Sequence, residues 1–225
     1  MDPVRRFDLA TTPLREVNAA LHADDLAGDY VITTPNGAHN VAVGLTAPVT
    51  VTVEGHVGYY AAGMNQRAEV VVTGNAGTGV AENMMSGTVV VHGNASQSAG
   101  ATAHGGLLVV HGDAAARCGI SMKGVDIVVG GNVGHNSAFM AQAGRMVVRG
   151  DAGDGLGDSV YEARLYVRGD VGTLGADCVA KPMRPEHVDE LAGLLKAAGY
   201  DDDPADYTRY GSARQLYHFQ AHNTY

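Results

Sequence analysis

The chain has 225 residues, which is enough for one large domain. Its net charge of −9 argues against nucleic acid or an anionic membrane as the main partner. Glycine is abundant, with 31 residues, but it lacks the three-residue period of collagen. No apolar run approaches the ~18 residues of a membrane span, and the first residues predict no signal peptide, so we expect a cytoplasmic protein.

The N-terminal segment predicts one helix and two strands ahead of a regular array. Apolar residues recur at helical spacing over about 13–22, which predicts a short helix. The segments DYVITT (29–34) and NVAVGL (40–45) alternate as β-strands do. Thr34 precedes Val53 by one full period of the array, so the first strand is expected to form an imperfect capping coil.

The array over residues 51–172 repeats one short sequence motif seven times. Its central glycines are evenly spaced, at the 19-residue interval that separates Gly55 from Gly74. Valine always stands two residues before that glycine and a sizeable apolar residue four before it, so both face one side of a strand. A fixed period with repeated strand and turn chemistry is typical of a solenoid. No helix fits into one such period beside a strand and several glycine turns. The sequence therefore predicts an all-β fold, a right-handed parallel β-helix of about seven 19-residue coils spaced ~4.8 Å apart.

The central glycines mark the corners of the predicted coils. In six of the seven coils the glycine precedes Asn or Asp, a pair that tolerates a positive φ. We expect the stacked Asn and Asp side chains to hydrogen-bond neighbouring backbone at this corner. Glycine-rich runs at 74–79 and 150–157 lead into further strands rather than helices, which favours turns over phosphate loops. The predicted structural turn glycines are Gly55, Gly74, Gly93, Gly112, Gly131, Gly150 and Gly169.

The C-terminal segment predicts a helix followed by an extended tail. Apolar residues at helical spacing predict an amphipathic helix over 185–198 that ends at Gly199 and either closes the rod or lies along it. The acidic run at 201–204 predicts a solvated turn. The tail is rich in aromatic side chains, which we expect to dock on the rod or on a partner; they are Tyr207, Tyr210, Tyr217, Phe219 and Tyr225. The chain thus divides into an N-terminal helix with capping strands (1–48), the β-helix (49–180), and the C-terminal helix with its tail (181–225).

Few groups in the sequence suggest chemistry. His92 and His111 fall in one column on adjacent coils, ~5 Å apart, where they could share a metal or form a solvated pair. The column continues with Arg149 and Arg168, a basic pair that either meets an acidic partner or is solvated. The solvated interpretation of the histidines is favoured, and no catalytic, cofactor-binding or metal-binding residue is predicted. The two cysteines form no CxxC motif and are expected to be reduced thiols.

One outward-pointing column of the array is apolar. Three residues before the central glycine, it consists of Thr52, Val71, Val90, Val109, Val128, Val147 and Tyr166. Such a stripe is expected to be covered, either by the chain's own terminal segments or by another subunit. The terminal segments are short relative to the stripe, which favours a partner over at least part of it. The candidate partner interface is Val71, Val90, Val109, Val128, Val147, Tyr166, Tyr210, Tyr217 and Phe219.

The repeated phrase V-V-x-G-[ND]-[AV]-G, as in 70–79 and 146–158, resembles a known domain. It is similar to the GXGXG domain that forms the C-terminal β-helix of the glutamate synthase large subunit, and a similar domain occurs in formylmethanofuran dehydrogenase. The flanks FDLATTPLREVNAALH and ARQLYHF resemble the stand-alone versions, in which glutamate synthase is split into separate chains. Such sets include N-methylglutamate synthase, also called methylamine–glutamate N-methyltransferase.

The resemblance implies a structural role without catalytic residues on this chain. The protein would hold together a class II glutamine amidotransferase-like subunit and an FMN-containing synthase subunit, in a hetero-oligomer of methylamine and glutamate metabolism. FMN and an iron–sulfur cluster are then expected on a partner, with no cofactor on this chain. Two alternatives stay open. One is a subunit of another glutamate synthase-like or formylmethanofuran dehydrogenase-type complex. The other is a self-contained glycan-binding or glycan-cleaving β-helix that uses the His92 and His111 column.

Overall fold

The computed structural model describes residues 4–216, which form a β-solenoid with two α-helices and one 3₁₀ turn. The strands are β1 (Arg5–Asp8), β2 (Asp29–Thr33), β3 (Thr50–Glu54), β4 (Glu69–Val72), β5 (Thr88–Val91), β6 (Leu107–Val110), β7 (Lys123–Val129), β8 (Ala143–Val148), β9 (Arg164–Val167), β10 (Cys178–Lys181) and β11 (Thr208–Ser212). The helices are α1 (Leu14–Ala20), α2 (Pro185–Ala197) and the 3₁₀ turn Pro204–Asp206. Among the described residues, no helix is both long enough and apolar enough to cross a membrane.

The seven predicted coils are confirmed by the sheet register. Strands β3 to β9 pair in parallel, each offset from the last by the period of the repeat, as in the pairing of Val70 with Val89. A second line of bridges two residues after each central glycine begins with Val57 opposite Ala76 and continues along the rod. Each coil therefore touches the next on two sides, and the space between them holds the core.

The interior columns predicted from the repeat are fully buried. Val72, Val91 and Ile127 are without exposed surface and belong to one continuous apolar cluster that runs the length of the rod. Burial of each such side chain contributes about 1.5–3 kcal/mol, so the valine columns supply much of the driving force for folding. This is why a sequence with few aromatic residues still specifies an extended core.

The central glycines are required because a side chain would not fit at these positions. A Cβ on Gly112 would lie 2.1 Å from Asn94 Oδ1 and 2.8 Å from the Gly93 oxygen of the preceding coil. Among the seven, only Gly55 has a positive φ, so the φ-based explanation is wrong for the other six. The predicted Asn/Asp hydrogen bonds are confirmed, because Asn94 Oδ1 accepts a bond of 2.9 Å from the backbone nitrogen of Asp113. The same bond to the backbone of the following coil is made by Asn75, Asp113, Asn132 and Asp151.

The N-terminal end departs from the prediction in two places. The helix forms as predicted, but the NVAVGL segment is a turn rather than a strand, because Asn40 and Ala42 adopt positive φ values of 59° and 54°. Strand β2 pairs with β3 so that Ile32, rather than Thr34, lies opposite Val53. The offset between these two strands exceeds the period of the array, because the connecting turn is longer than in the regular coils. An unpredicted strand, β1, extends the sheet beyond β2.

The C-terminal helix lies along the sheet, which is one of the two placements that the sequence predicted. Helix α2 packs on the outer face of the sheet, and strand β11 then inserts antiparallel between β9 and β10. The docking predicted for the aromatic tail is confirmed for Tyr207, which is buried, and for Tyr210, which packs against the main core. The predicted interface residues Tyr217 and Phe219, together with Tyr225, lie outside the described residues.

Candidate functional site

The C-terminal half of the outward apolar stripe is covered by the chain itself. The covered residues are Val109, Val128, Val147 and Tyr166, each at most 2 % exposed. They form an apolar cluster with Leu191, Leu194 and Leu195 of α2. The helix therefore covers four of the residues that the sequence placed in a partner interface.

Two carboxylates, one in α2 and one in the segment after it, form ion pairs with arginines that project from neighbouring strands of the sheet. Glu190 accepts hydrogen bonds from Arg164 (2.7 and 2.9 Å) and from the Tyr166 hydroxyl (2.5 Å). Arg145 also approaches Glu190, at 3.3 Å, and pairs with Asp126 on the neighbouring strand. The apolar contact is thus flanked by ion pairs that set the position of the helix along the sheet.

The second carboxylate, Asp202, lies in the run predicted to be a solvated turn. Its side chain is only 9 % exposed and accepts hydrogen bonds from Arg149, Arg168 (2.9 Å) and Tyr207 (3.0 Å). The solvated-turn prediction is therefore wrong at this residue. The basic pair Arg149 and Arg168, predicted to meet an acidic partner or solvent, instead meets an acid of the same chain.

These contacts shift the ionisation of both acids. The pKa of Asp202 falls to about 2, mainly because Arg149 donates a hydrogen bond to it. Burial acts to raise the pKa of Glu190, but the hydrogen bonds from Tyr166 and Arg164 outweigh it and leave that pKa below its ordinary value. Both side chains are therefore charged at neutral pH, where they hold α2 in place.

The substitution Asp202→Asn is expected to destabilise the protein at neutral pH and to have little effect near pH 2. The pKa of Asp202 is about 2 in the folded state and ~3.8 in the unfolded chain, so the charge stabilises the fold above pH ~4 and this stabilisation disappears as the pH falls through 2. We expect about 1–2 kcal/mol at pH 7. Thermal unfolding of both proteins between pH 2 and 7 measures the difference, and a difference that does not change with pH would contradict this account.

The N-terminal half of the stripe is left open by α2. Val71 and Thr52 are half-buried and point outward from β4 and β3, and Val90 only borders the cluster beneath the helix. The prediction of a partner interface therefore stays a prediction for Val71 and Val90. Tyr210, the other described residue of the predicted interface outside the stripe, is partly buried against the chain's own core.

A second apolar surface lies on the turns of the first coils. Tyr60, Met64 and Met85 are 45–51 % exposed, and the first two line a shallow depression of about 220 Å³. The backbone nitrogen of Met85 donates to the Asn65 oxygen (2.8 Å), which places it on the coil next to Met64. Sequence reasoning missed this surface because its members fall at different positions of the repeat.

The predicted histidine pair is confirmed in its geometry. The rings of His92 and His111 lie 5.4 Å apart, edge to face, and His111 Nδ1 is 2.7 Å from the Tyr200 hydroxyl just beyond α2. Burial lowers the pKa of His111, and the charges of His92 and Arg149 lower it further. Within residues 4–216, no group of three His, Cys, Asp or Glu side chains is arranged to hold a metal ion. The Tyr200 hydroxyl thus links the chain just after α2 to the histidine pair.

Both thiols of the chain are buried. Burial raises the pKa of Cys118 and of Cys178 to about 12, so neither is a nucleophile at neutral pH. Two cysteines are also fewer than the four thiolates that usually hold an iron–sulfur cluster.

Comparison with known proteins places this chain in a family. The chain is 61 % identical over 223 residues to Protein GlxC of Rhizobium meliloti (strain 1021), covering 96 % of this chain and 97 % of that protein. The chain belongs to the GlxC family. No family model matches the sequence. No solved structure matches it.

In this GlxC family member, sequence reasoning overlooked the residues that hold α2. The signal was present, since Arg145 and Arg164 stand in one column five residues before the central glycine. Glu190 precedes Leu191 in the helix, so an acid next to the apolar face could have been matched to that column. The match required knowing that the helix lies on this part of the sheet.

Proposed function

We propose that this GlxC family chain is a non-catalytic scaffold subunit of a cytoplasmic glutamate synthase-like complex of the N-methylglutamate synthase type. It would hold a class II glutamine amidotransferase-like subunit and an FMN-containing synthase subunit together. The observation that carries the proposal is the outward apolar stripe, which continues past the edge of α2, where Thr52 and Val71 lie half-buried outside the cluster that the helix covers. Apolar surface of this kind favours association with another protein.

Two separate apolar surfaces on the same coils suit a subunit with two neighbours. One is the open stripe on the sheet, with Val71 at its centre, and the other is the turn surface of Tyr60, Met64 and Met85. A stack of parallel coils is rigid along its length, because every coil is hydrogen-bonded to the next through the sheet. A rigid rod with two apolar surfaces can keep two partners at a constant distance.

The chemistry of such a complex would lie on the partners. Glutamine hydrolysis, FMN and an iron–sulfur cluster would belong to the amidotransferase-like and synthase subunits. The buried thiols Cys118 and Cys178 and the hydrogen-bonded His111 of this chain suit a structural role. The purified chain is therefore expected to show neither glutaminase nor synthase activity.

The substitution Val71→Asp is expected to reduce co-purification of the chain with its partner subunits by about 10-fold or more, because a charge at the centre of an apolar interface is costly to desolvate. Co-expression of the tagged chain with an amidotransferase-like and an FMN-containing synthase subunit, followed by quantification of the captured subunits, measures the effect. The matched control is Gln66→Asp, which adds the same charge at an exposed polar position of the turns.

Gln66→Asp is expected to retain the wild-type thermal midpoint within about 2 °C, because Gln66 is exposed. Val71→Asp is expected to lower the midpoint by only a few degrees, because Val71 is half-buried on the outer face of β4. Equal capture by Val71→Asp and the wild type would remove the stripe from the interface. Glutaminase or synthase activity in the chain alone would overturn the scaffold proposal.

A further inference from the structure

A pocket lined by cations lies where α2 begins beside the last strands of the sheet. It encloses about 370 Å³. Its basic side chains are Arg164, Lys181, Arg184, Arg209 and Arg214, and its one carboxylate is Glu162. Five of the chain's 15 lysines and arginines thus surround one pocket in a chain of net charge −9. This concentration is not required by the solenoid repeat, because most of these residues lie outside it.

The sheet register brings two of these cations face to face. Arg209 on β11 lies opposite Lys181 on β10 and opposite Tyr166 on β9. Residues opposite each other in antiparallel strands project from the same face, so all three lie on the side covered by α2. Like charges directly opposite each other destabilise a sheet. An anion bound between Lys181 and Arg209 would offset this repulsion.

The nearby carboxylates already have other partners. These pairs are Glu162 with Arg214 (3.1 Å), Glu190 with Arg164 (2.7 Å), Glu186 with Arg184 (3.7 Å), and Asp177 with the Ser212 hydroxyl (2.6 Å). Within residues 4–216, neither Lys181 nor Arg209 has a carboxylate within 4.0 Å. Glu190 attracts Arg209 only from beyond this distance, so neither central cation of the pocket forms an ion pair with the described chain.

Arg209 is held in place but is not saturated with hydrogen bonds. Its Nε donates to the Pro182 oxygen at 3.1 Å, and its two terminal nitrogens make no hydrogen bond to the described residues. Burial lowers its pKa, and the charges of Arg184 and Arg164 lower it further. The N-terminus of α2, a 13-residue helix, adds the positive end of its dipole beside Arg184.

We infer that this pocket binds a small molecule that carries two or more oxyanion groups, either a polycarboxylate or a phosphorylated compound. Guanidinium groups pair with carboxylate and phosphate oxygens through two parallel hydrogen bonds, which the terminal nitrogens of Arg209 can supply. Lys181 contributes a compact second charge. The pocket volume lies in the range of about 300–1,000 Å³ that is usual for small-ligand sites. The inference does not depend on the proposed scaffold role, because it concerns the chain alone.

Calorimetric titration of the full chain with citrate and with pyrophosphate, at physiological salt, tests this inference. At least one of the two probes is expected to bind with one-to-one stoichiometry. The variant Arg209→Gln is expected to weaken that binding at least 10-fold. The control Arg15→Gln removes the same charge from the exposed side of α1 and should leave binding unchanged.

The unliganded stability of the variant separates binding from folding. Because Arg209→Gln removes a like-charge contact with Lys181, its thermal midpoint without ligand is expected to equal or exceed that of the wild type. Binding of citrate alone would assign the site to polycarboxylates, and binding of pyrophosphate alone would assign it to phosphorylated compounds. The inference is overturned if neither probe binds, or if Arg15→Gln weakens binding as much as Arg209→Gln.

Discussion

The substitution Gly112→Ala is expected to lower the thermal midpoint of the protein by about 10 °C. The added Cβ would lie 2.1 Å from Asn94 Oδ1 and 2.8 Å from the Gly93 oxygen, so two coils must separate or Asn94 must rotate. Rotation breaks the hydrogen bond that Asn94 accepts from the backbone of Asp113. Overpacking and the lost bond together cost about 3 kcal/mol, and each kcal/mol shifts the midpoint of a chain of this size by roughly 2–4 °C.

Gly193 offers a matched control for this substitution. It lies in the interior of α2, and a Cβ added there meets nothing within 4 Å. Gly193→Ala is therefore expected to stabilise the protein by about 0.5–1 kcal/mol through helix propensity alone. Differential scanning calorimetry of the two variants should give shifts of opposite sign. Shifts of the same sign would contradict the close-approach explanation.

A double substitution identifies the source of the clash. In the Asn94→Ala background the nearest obstructing atom is absent, so the additional cost of Gly112→Ala should fall by about 1 kcal/mol. The remaining cost reports on the backbone approach to Gly93. An unchanged additional cost would show that the Asn94 side chain moves freely, and the corner hydrogen bonds would then contribute little to stability.

The regular part of the fold could be predicted because its information is local and repeated. A valine two residues before every central glycine fixes both the strand face and the register, which is why Val72 lies opposite Val91 as the period requires. The turns could not be predicted in the same way. Ala81 and Met140 adopt left-handed φ values of 57° and 52° that no local preference of Ala or Met indicates. Those conformations are imposed by the stacking of the coils.

The candidate site could be predicted only in part, since its cover depends on distant residues. The apolar column predicted that Val128 and Val147 would be covered, and α2 was predicted from its own spacing. Whether α2 or a partner subunit covers them depends on Glu190, which pairs with Arg164. These two residues are 26 positions apart in the sequence, and their side chains lie 2.7 Å apart. No period relates such positions, so only the folded chain shows that the helix covers half of the stripe.

The substitution Leu191→Asp is expected to release α2 from the sheet without unfolding the coils. Leu191 is fully buried between α2 and the outer sheet face, so the variant loses apolar contact and buries an unpaired carboxylate, at a cost of about 4 kcal/mol. The core inside the coils is a separate cluster and stays intact. Hydrogen exchange should therefore show lost protection in α2 with retained protection in β3 to β5.

The control for this release is Val188→Asp on the same helix. Val188 is 36 % exposed near the start of α2, where a negative charge also favours the helix dipole, so protection should be unchanged. In Leu191→Asp the uncovered Val128 and Val147 would join the open residues Thr52 and Val71 in one apolar stripe along the rod. We therefore expect this variant to self-associate in sedimentation velocity runs while Val188→Asp does not. Loss of protection throughout the sheet would instead mean that α2 is required for the coils to stack.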